Sequence, residues 1–198
     1  MIKAIIFDFG GVMEPDYDPK MYTALAKHLN VSLSAFRAAN TSVYHQFEKG
    51  KLNEYGYWGR LLKKLKIKED PKRFTGLWAK AYGHPKGWAS SYSLVRKLKR
   101  NYQVALLSNV TLPIASLNSR RYALFNPVIL SCKAHFRKPD LSIFSYCLRK
   151  IGCLARESIF IDNLAINVRG ARKAGIDSIQ FRGIFQLKKE LKKRHISV

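Results

Sequence analysis

Carboxylates are scarce in this chain of 198 residues: 13 Asp and Glu stand against 36 Lys and Arg, for a net charge of +23. Such a balance points to an anionic counterpart, either a polyanion such as nucleic acid or an anionic substrate steered toward a site. The alternative is a generally basic, solvated surface. Basic residues are spread along the chain, with short runs at Lys63-Lys64, Arg96 to Arg100, Arg120-Arg121 and Lys188 to Arg194, so no single patch is legible. Cysteine is nearly absent: Cys132, Cys147 and Cys153 show no CxxC spacing, which excludes a disulfide framework or a zinc site. No apolar run reaches the length of about 18 residues that a membrane helix needs. The N-terminal apolar segment is too short for a signal-peptide core and no cleavage pattern follows it, so a soluble cytoplasmic protein is expected. Repeats and low-complexity stretches are missing as well.

What is present is enough for one good core and a small second lobe, with 47% hydrophobic residues. Strand-like apolar runs lie at Lys3 to Phe7, Val104 to Leu107, Pro127 to Leu130, Ile159 to Ile161 and Ile176 to Phe181. Helical periodicity separates them after residue 88, over Ser91 to Arg100, Ile114 to Arg121, Leu141 to Ile151 and Ile166 to Ala174. Gly175 is the stop of the last helix and Asp140 is expected to cap Leu141 to Ile151. This alternation predicts a parallel, Rossmann-like α/β sheet. With right-handed crossovers, the carboxyl ends of several strands gather at one edge, bringing Asp8, Ser108 and Asp162 together with Lys138.

Residues 15–87 read differently. Tyr22 to Leu29, Leu33 to Phe47, Asn53 to Leu65 and Arg73 to Tyr82 carry apolar residues at helical spacing. Trp58, Trp78, Tyr44, Tyr55 and Tyr57 are expected to form the core of this lobe. A final helix over Phe185 to His195 has Leu187 and Leu191 on its buried side and lysines around them.

The chemistry lies in four short segments. Asp8 ends the run Ala4-Ile5-Ile6-Phe7 and precedes Gly10-Gly11; Leu107-Ser108-Asn109 follows a second run; Arg137-Lys138-Pro139-Asp140 precedes a helix; and Phe160-Ile161-Asp162-Asn163 ends another strand. As an ordered set within a βα-repeating chain, they resemble the haloacid dehalogenase (HAD) superfamily, mostly magnesium-dependent phosphatases that work through an aspartyl-phosphate. The resemblance covers residues 1 to about 14 and about 88 to 186. It implies an α/β core over 1–14 and 88–198, with a small helical cap over 15–87 inserted after the first strand.

By that resemblance Asp8 is the nucleophile and Mg2+ is held by Asp8, the backbone carbonyl of Gly10 and Asp162. Lys138 balances the negative charge and stabilises the transferring phosphoryl group, Ser108 and Asn109 bind or order its oxygens, and the substrate is a small phosphorylated metabolite. Asn163 stands where many relatives carry a second carboxylate, and Asn167 is expected to be the start of a helix. The departure is Gly10, where these phosphatases usually carry a second Asp as general acid and base. Glu14, Asp16 or Asp18 are the candidate substitutes, Asp16 first because Pro15 fixes the turn before it.

Two other readings compete. A carbon–halogen hydrolase of the same fold expects an aromatic residue at position 10. A regulatory protein that kept the fold would hold nucleic acid or another polyanion through its basic surface, with salt-sensitive binding.

Overall fold

The computed structural model describes residues 1–16, 18–83 and 85–198, and the side chains of all these except Asp18 and Pro19. Five strands form one parallel sheet: β1 (Ala4–Phe7), β2 (Gln103–Ser108), β3 (Val128–Leu130), β4 (Ser158–Asp162) and β5 (Asp177–Gln180), in the order β3-β2-β1-β4-β5. β1 is central, with Phe7 beside Leu106 on one flank and Ile161 on the other. Its four residues are all buried, as expected of a strand covered on both faces.

Alternation along the strands sorts the core into two layers. Ala4, Ile6, Ala105, Leu107 and Phe160 face one way, against Ile143, Phe144 and Cys147 of helix α9 (Leu141–Ile151) and Ala171 of helix α10 (Ala165–Lys173). Ile5, Phe7, Val104, Leu106 and Ile161 face the other way, against Leu94, Val95 and Leu98 of α5 (Ala89–Leu98) and Leu187 and Leu191 of α11 (Ile184–Lys193).

Between β1 and α5 the chain is helical: α1 (Asp18–His28), α2 (Leu33–Glu48), α3 (Glu54–Lys64) and α4 (Leu77–Tyr82). Ser32 and Asn53 cap α2 and α3 by accepting from Ala35 N and Gly56 N. The expected single helix over Arg73 to Tyr82 is instead a 3-10 turn, Pro71–Phe74, followed by α4. Gly76 breaks it, sitting in the left-handed region at φ +84°. Trp58, Trp78 and Tyr57 are fully buried, with Tyr44 stacked on Trp78 at 5.3 Å. Tyr55 does not join them and is 49% exposed.

Two further expectations on the core side are corrected. The helix over Ile114 to Arg121 divides at Asn118 into α6 (Leu112–Leu117) and α7 (Ser119–Tyr122). Asn118 turns its amide back onto Ile114 O and across to Tyr82, the local bonding by which Asn interrupts helices. Asp140 stands at the start of α9, but its side chain makes no capping bond and pairs with Lys49 at 3.1 Å. That ion pair belongs to a seam joining α2 to α8 (Ser131–Ala134) and the loop after it. Ser131 Oγ donates to Glu48 O at 2.7 Å, and a Cβ on Gly50 would fall 2.1 Å from Cys132 O. No helix among the described residues is long and apolar enough to cross a membrane.

Candidate active site

Asp8 leaves β1, Ser108 is the last residue of β2 and Asp162 the last of β4, so three adjacent strands deliver their side chains to one sheet edge. Lys138 reaches this edge from the loop between α8 and α9. Its Nζ lies 2.8 Å from Asp8 Oδ1 and 2.7 Å from Asp162 Oδ2, and the whole residue is 1% exposed. Asn109 fixes the backbone of Lys138, and Asn167 on the first turn of α10 donates to both oxygens of Asp162 at 3.2 and 3.0 Å. Leu164 N donates to Asp162 Oδ1 at 2.8 Å.

Two carboxylates therefore share one ammonium in a site shielded from water. Burial, and then the charge of Asp162, push the Asp8 carboxyl up to about 7, against the opposing pull of Lys138. Burial works against the Lys138 ammonium, yet the two carboxylates outweigh it and raise its pKa.

The site opens into a cavity of about 250 Å3. Asp8, Gly10, Ser108, Asn109, Lys138, Asn163 and Asn167 line it on the sheet side. Asp162 does not: Lys138, Asn167 and Leu164 occupy its oxygens, and it lies behind Asp8 with no exposed surface. Asp8 and Asp162 follow Ile6 and Phe160 on the same face of the sheet, so the bonds that Asp162 makes, and not its face, set the two apart; Asn163 comes next and reaches the cavity. The Asn163 amide packs directly on Gly11, where a Cβ would fall 2.1 Å from its Nδ2. Gly10 is the opposite case, since a Cβ there meets nothing within 4 Å.

Of the three acids proposed to replace the missing Asp, Glu14 and Asp16 line the cavity, while the Asp18 side chain lies outside the described residues. Glu14 is 1% exposed and committed elsewhere. Arg121 Nη1 lies 2.5 Å from its Oε2, and the Tyr82 hydroxyl donates to Oε1. Asn118 links the two partners, donating to Tyr82 Oη and accepting from Arg121 Nη1, both at 2.9 Å. Burial pushes the Glu14 carboxyl up, while Tyr82 and Arg121 pull it down.

Sequence reading missed several lining residues. Arg137 pairs with Glu48 of α2 at 2.6 Å, directly beside Lys138. Asn167, expected only as a helix start, anchors Asp162. Tyr22, Tyr44, His45 and Tyr82 form the wall opposite the sheet, and Tyr122 adds a phenol from α7. No local signal marks these residues, since each lines the cavity through contacts distant in sequence.

A family model for haloacid dehalogenase-like hydrolases matches residues 2–175. The chain belongs to this family. Among curated relatives, the sesquiterpene phosphatase astK of Aspergillus oryzae is 28% identical over 179 residues, covering 88% of this chain and 87% of the relative. A predicted HAD-like family hydrolase from Porphyromonas gingivalis superposes with a TM-score of 0.80 at 20% identity, covering 98% of each chain. A HAD family enzyme of Bacteroides thetaiotaomicron, solved with magnesium and inorganic phosphate, superposes at 0.71 with 21% identity, over 91% of this chain and 94% of the other. At these identities the two structures bear on the fold alone. The protein is accordingly a HAD-like hydrolase with a five-stranded parallel core.

Proposed function

We propose that this HAD-like hydrolase is a phosphatase acting on a small phosphomonoester, with residues 15–87 as a cap over a core of 1–14 and 88–198. The observation that carries the reading is the Lys138 ammonium bridging Asp8 and Asp162 while Asp8 alone of the two faces the cavity. Asp8 attacks phosphorus, the ester P–O bond breaks and the alcohol leaves with a proton. Water then cleaves the aspartyl-phosphate, releasing inorganic phosphate and restoring Asp8. Lys138 holds the nucleophile in place and offsets the charge of the phosphoryl oxygens. Ser108, whose hydroxyl makes no hydrogen bond to another described residue, is placed to donate to one of those oxygens.

A divalent cation fits this donor set. Two buried carboxylates face a single ammonium, and Asp8, Gly10 and Asn163 bring oxygen donors to one cavity wall. Among the described residues no three His, Cys, Asp or Glu side chains cluster as a metal site, so such an ion relies on backbone, amide or water oxygens as well. Mg2+ held by Asp8, the Gly10 carbonyl and Asn163 would neutralise phosphate charge and polarise the phosphoryl group. To Asp162 we assign the anchoring of Lys138 in place of a direct ligand role, because its oxygens are already taken. Asp16 is kept as the acid that protonates the leaving group, since Glu14 is tied to Arg121 and Tyr82.

Phosphate release from p-nitrophenyl phosphate, measured with Mg2+ and with EDTA, tests the reading. Turnover should require Mg2+ and vanish in Asp8→Asn; turnover that persists in Asp8→Asn removes the nucleophile and the proposal with it.

A further inference from the structure

The charge lining the cavity differs from that of the chain as a whole. The protein carries +23 charges, yet none of the lysines or arginines of residues 15–87 lines the cavity. Among the described residues, the lysine and arginine that line it are Lys138 and Arg137, and both are spent: Arg137 on Glu48 at 2.6 Å, Lys138 on Asp8 and Asp162. Opposite the sheet the wall is made by Tyr22, Tyr44, Tyr82 and His45, continued by Tyr122 and Ile114 from the core. Burial, then the charges of Arg137 and Lys49, hold the His45 imidazole below its ordinary pKa, which favours its neutral form. Asp16 and Glu14 line the same cavity, the latter already paired with Arg121, so neither brings a cation to it.

We infer that the substrate of this site is the monophosphate of an uncharged alcohol with an apolar or aromatic body, seated against the tyrosine wall. The inference rests on the phosphatase reading for the fate of the phosphate, but concerns the other end of the molecule. A second phosphate or a carboxylate on the alcohol would find, among the described lining residues, no lysine or arginine that is not already paired with a carboxylate, at the cost of desolvating a charge. An apolar body instead covers aromatic faces and gains from the area removed from water. The volume, about 250 Å3, is below the usual range of ligand pockets, roughly 300–1,000 Å3, and leaves no room for a coenzyme-sized ester enclosed whole.

Steady-state kinetics on the native chain with Mg2+ would compare benzyl phosphate, glucose 6-phosphate and 3-phosphoglycerate, with p-nitrophenyl phosphate as the reference ester. We expect kcat/KM for benzyl phosphate to exceed that for the sugar ester about tenfold and that for the phosphocarboxylate about a hundredfold. Equal or better turnover of either polar ester overturns the inference while leaving the phosphatase reading intact. Binding of the same three esters to Asp8→Asn by calorimetry gives a readout independent of chemistry. The order should be the same, with benzyl phosphate also tighter than inorganic phosphate; loss of that order overturns the inference even where no ester is hydrolysed, an outcome that would sink the phosphatase reading separately. His45, exposed on α2, allows a change of charge without disturbing the core. His45→Arg should shift the ratio of 3-phosphoglycerate to benzyl phosphate at least tenfold toward the acid, and an unchanged ratio counts against the wall as the selective element.

Discussion

Asn109 grips the backbone of Lys138 on both sides of its α-carbon: its Oδ1 accepts from Lys138 N and its Nδ2 donates to Lys138 O, each at 2.9 Å. The lysine that bridges two carboxylates is thus aimed by a residue at the end of another strand. Asn109→Ala frees both backbone groups in a part-buried loop, at a cost of about 1–3 kcal/mol in stability. Because the ammonium then loses its aim, kcat should fall more than stability alone explains. A denaturation curve together with kcat at saturating substrate separates the two effects; a stability loss with unchanged kcat would make Asn109 purely structural.

Asp8 carries a cost that should be visible in the thermal stability. Its folded carboxyl keeps a proton up to about pH 7, whereas the unfolded chain releases it near the ordinary aspartate value. The folded state therefore binds more protons between these limits, and stability falls as pH rises through that window. In EDTA, Asp8→Asn should melt higher than the native chain at pH 8, by about 1–3 kcal/mol or roughly 2–10 °C, and no higher at pH 4. Mg2+ should raise the melting temperature of the native chain at pH 8 and leave Asp8→Asn nearly unmoved. A lower melting temperature for Asp8→Asn at pH 8 would mean that attraction to Lys138 outweighs burial and the charge of Asp162.

Gly10 and Gly11 are adjacent but should respond oppositely. A Cβ on Gly10 meets nothing within 4 Å, so Gly10→Asp should fold normally and add a second acid, two residues after the nucleophile, to the one we assign to Asp16. We expect kcat on a poor leaving group such as an alkyl phosphate to rise about 10- to 100-fold, within reach of the 10²–10⁴ typical of general acids, with little change on p-nitrophenyl phosphate. Gly11 has φ +72°, and its Cβ would collide with Asn163 Nδ2 at 2.1 Å. Gly11→Ala should lose about 1–3 kcal/mol of stability and disturb Asn163. Equal stability of the two variants would contradict the geometry of this loop.

The fold was legible because buried parallel strands write themselves as short apolar runs, and the residues that end them, Asp8, Ser108 and Asp162, inherit their place from the sheet. Lys138 could be placed only through the motif, since a lysine buried between two acids looks like any other lysine in a chain with 36 Lys and Arg. The pairs Glu48–Arg137 and Glu14–Arg121 were invisible for the same reason: each partner reads as a solvated charge until the helical segment folds onto the core. The withdrawal of Asp162 from the cavity is not written in the period, because Asp8 shares its face of the sheet; it depends on Lys138, Leu164 and Asn167, which occupy the Asp162 oxygens only in the fold. The breaks at Gly76 and Asn118 depend on tertiary contacts or a left-handed backbone that periodicity does not register.

Glu14 decides where the missing acid can be. Its carboxylate is buried with Arg121 and the Tyr82 hydroxyl, at the junction between α4, α7 and the loop leaving β1. Removing it in Glu14→Ala leaves the Arg121 guanidinium half-paired against Phe9 and Tyr92, and should cost about 2–4 kcal/mol. Glu14→Gln keeps the shape and the bond from Tyr82, so it should cost less and leave the dependence of kcat on leaving-group pKa as it is in the native chain. Asp16→Asn should do the reverse, with near-native stability but a steeper dependence on the leaving group, because the alcohol must then depart without a proton from Asp16. The two slopes, taken over a series of aryl and alkyl phosphates, distinguish a joint between helical segment and core from a proton donor. A steeper slope in Glu14→Gln alone would transfer the acid role to Glu14 and make its burial beside Tyr82 part of the chemistry.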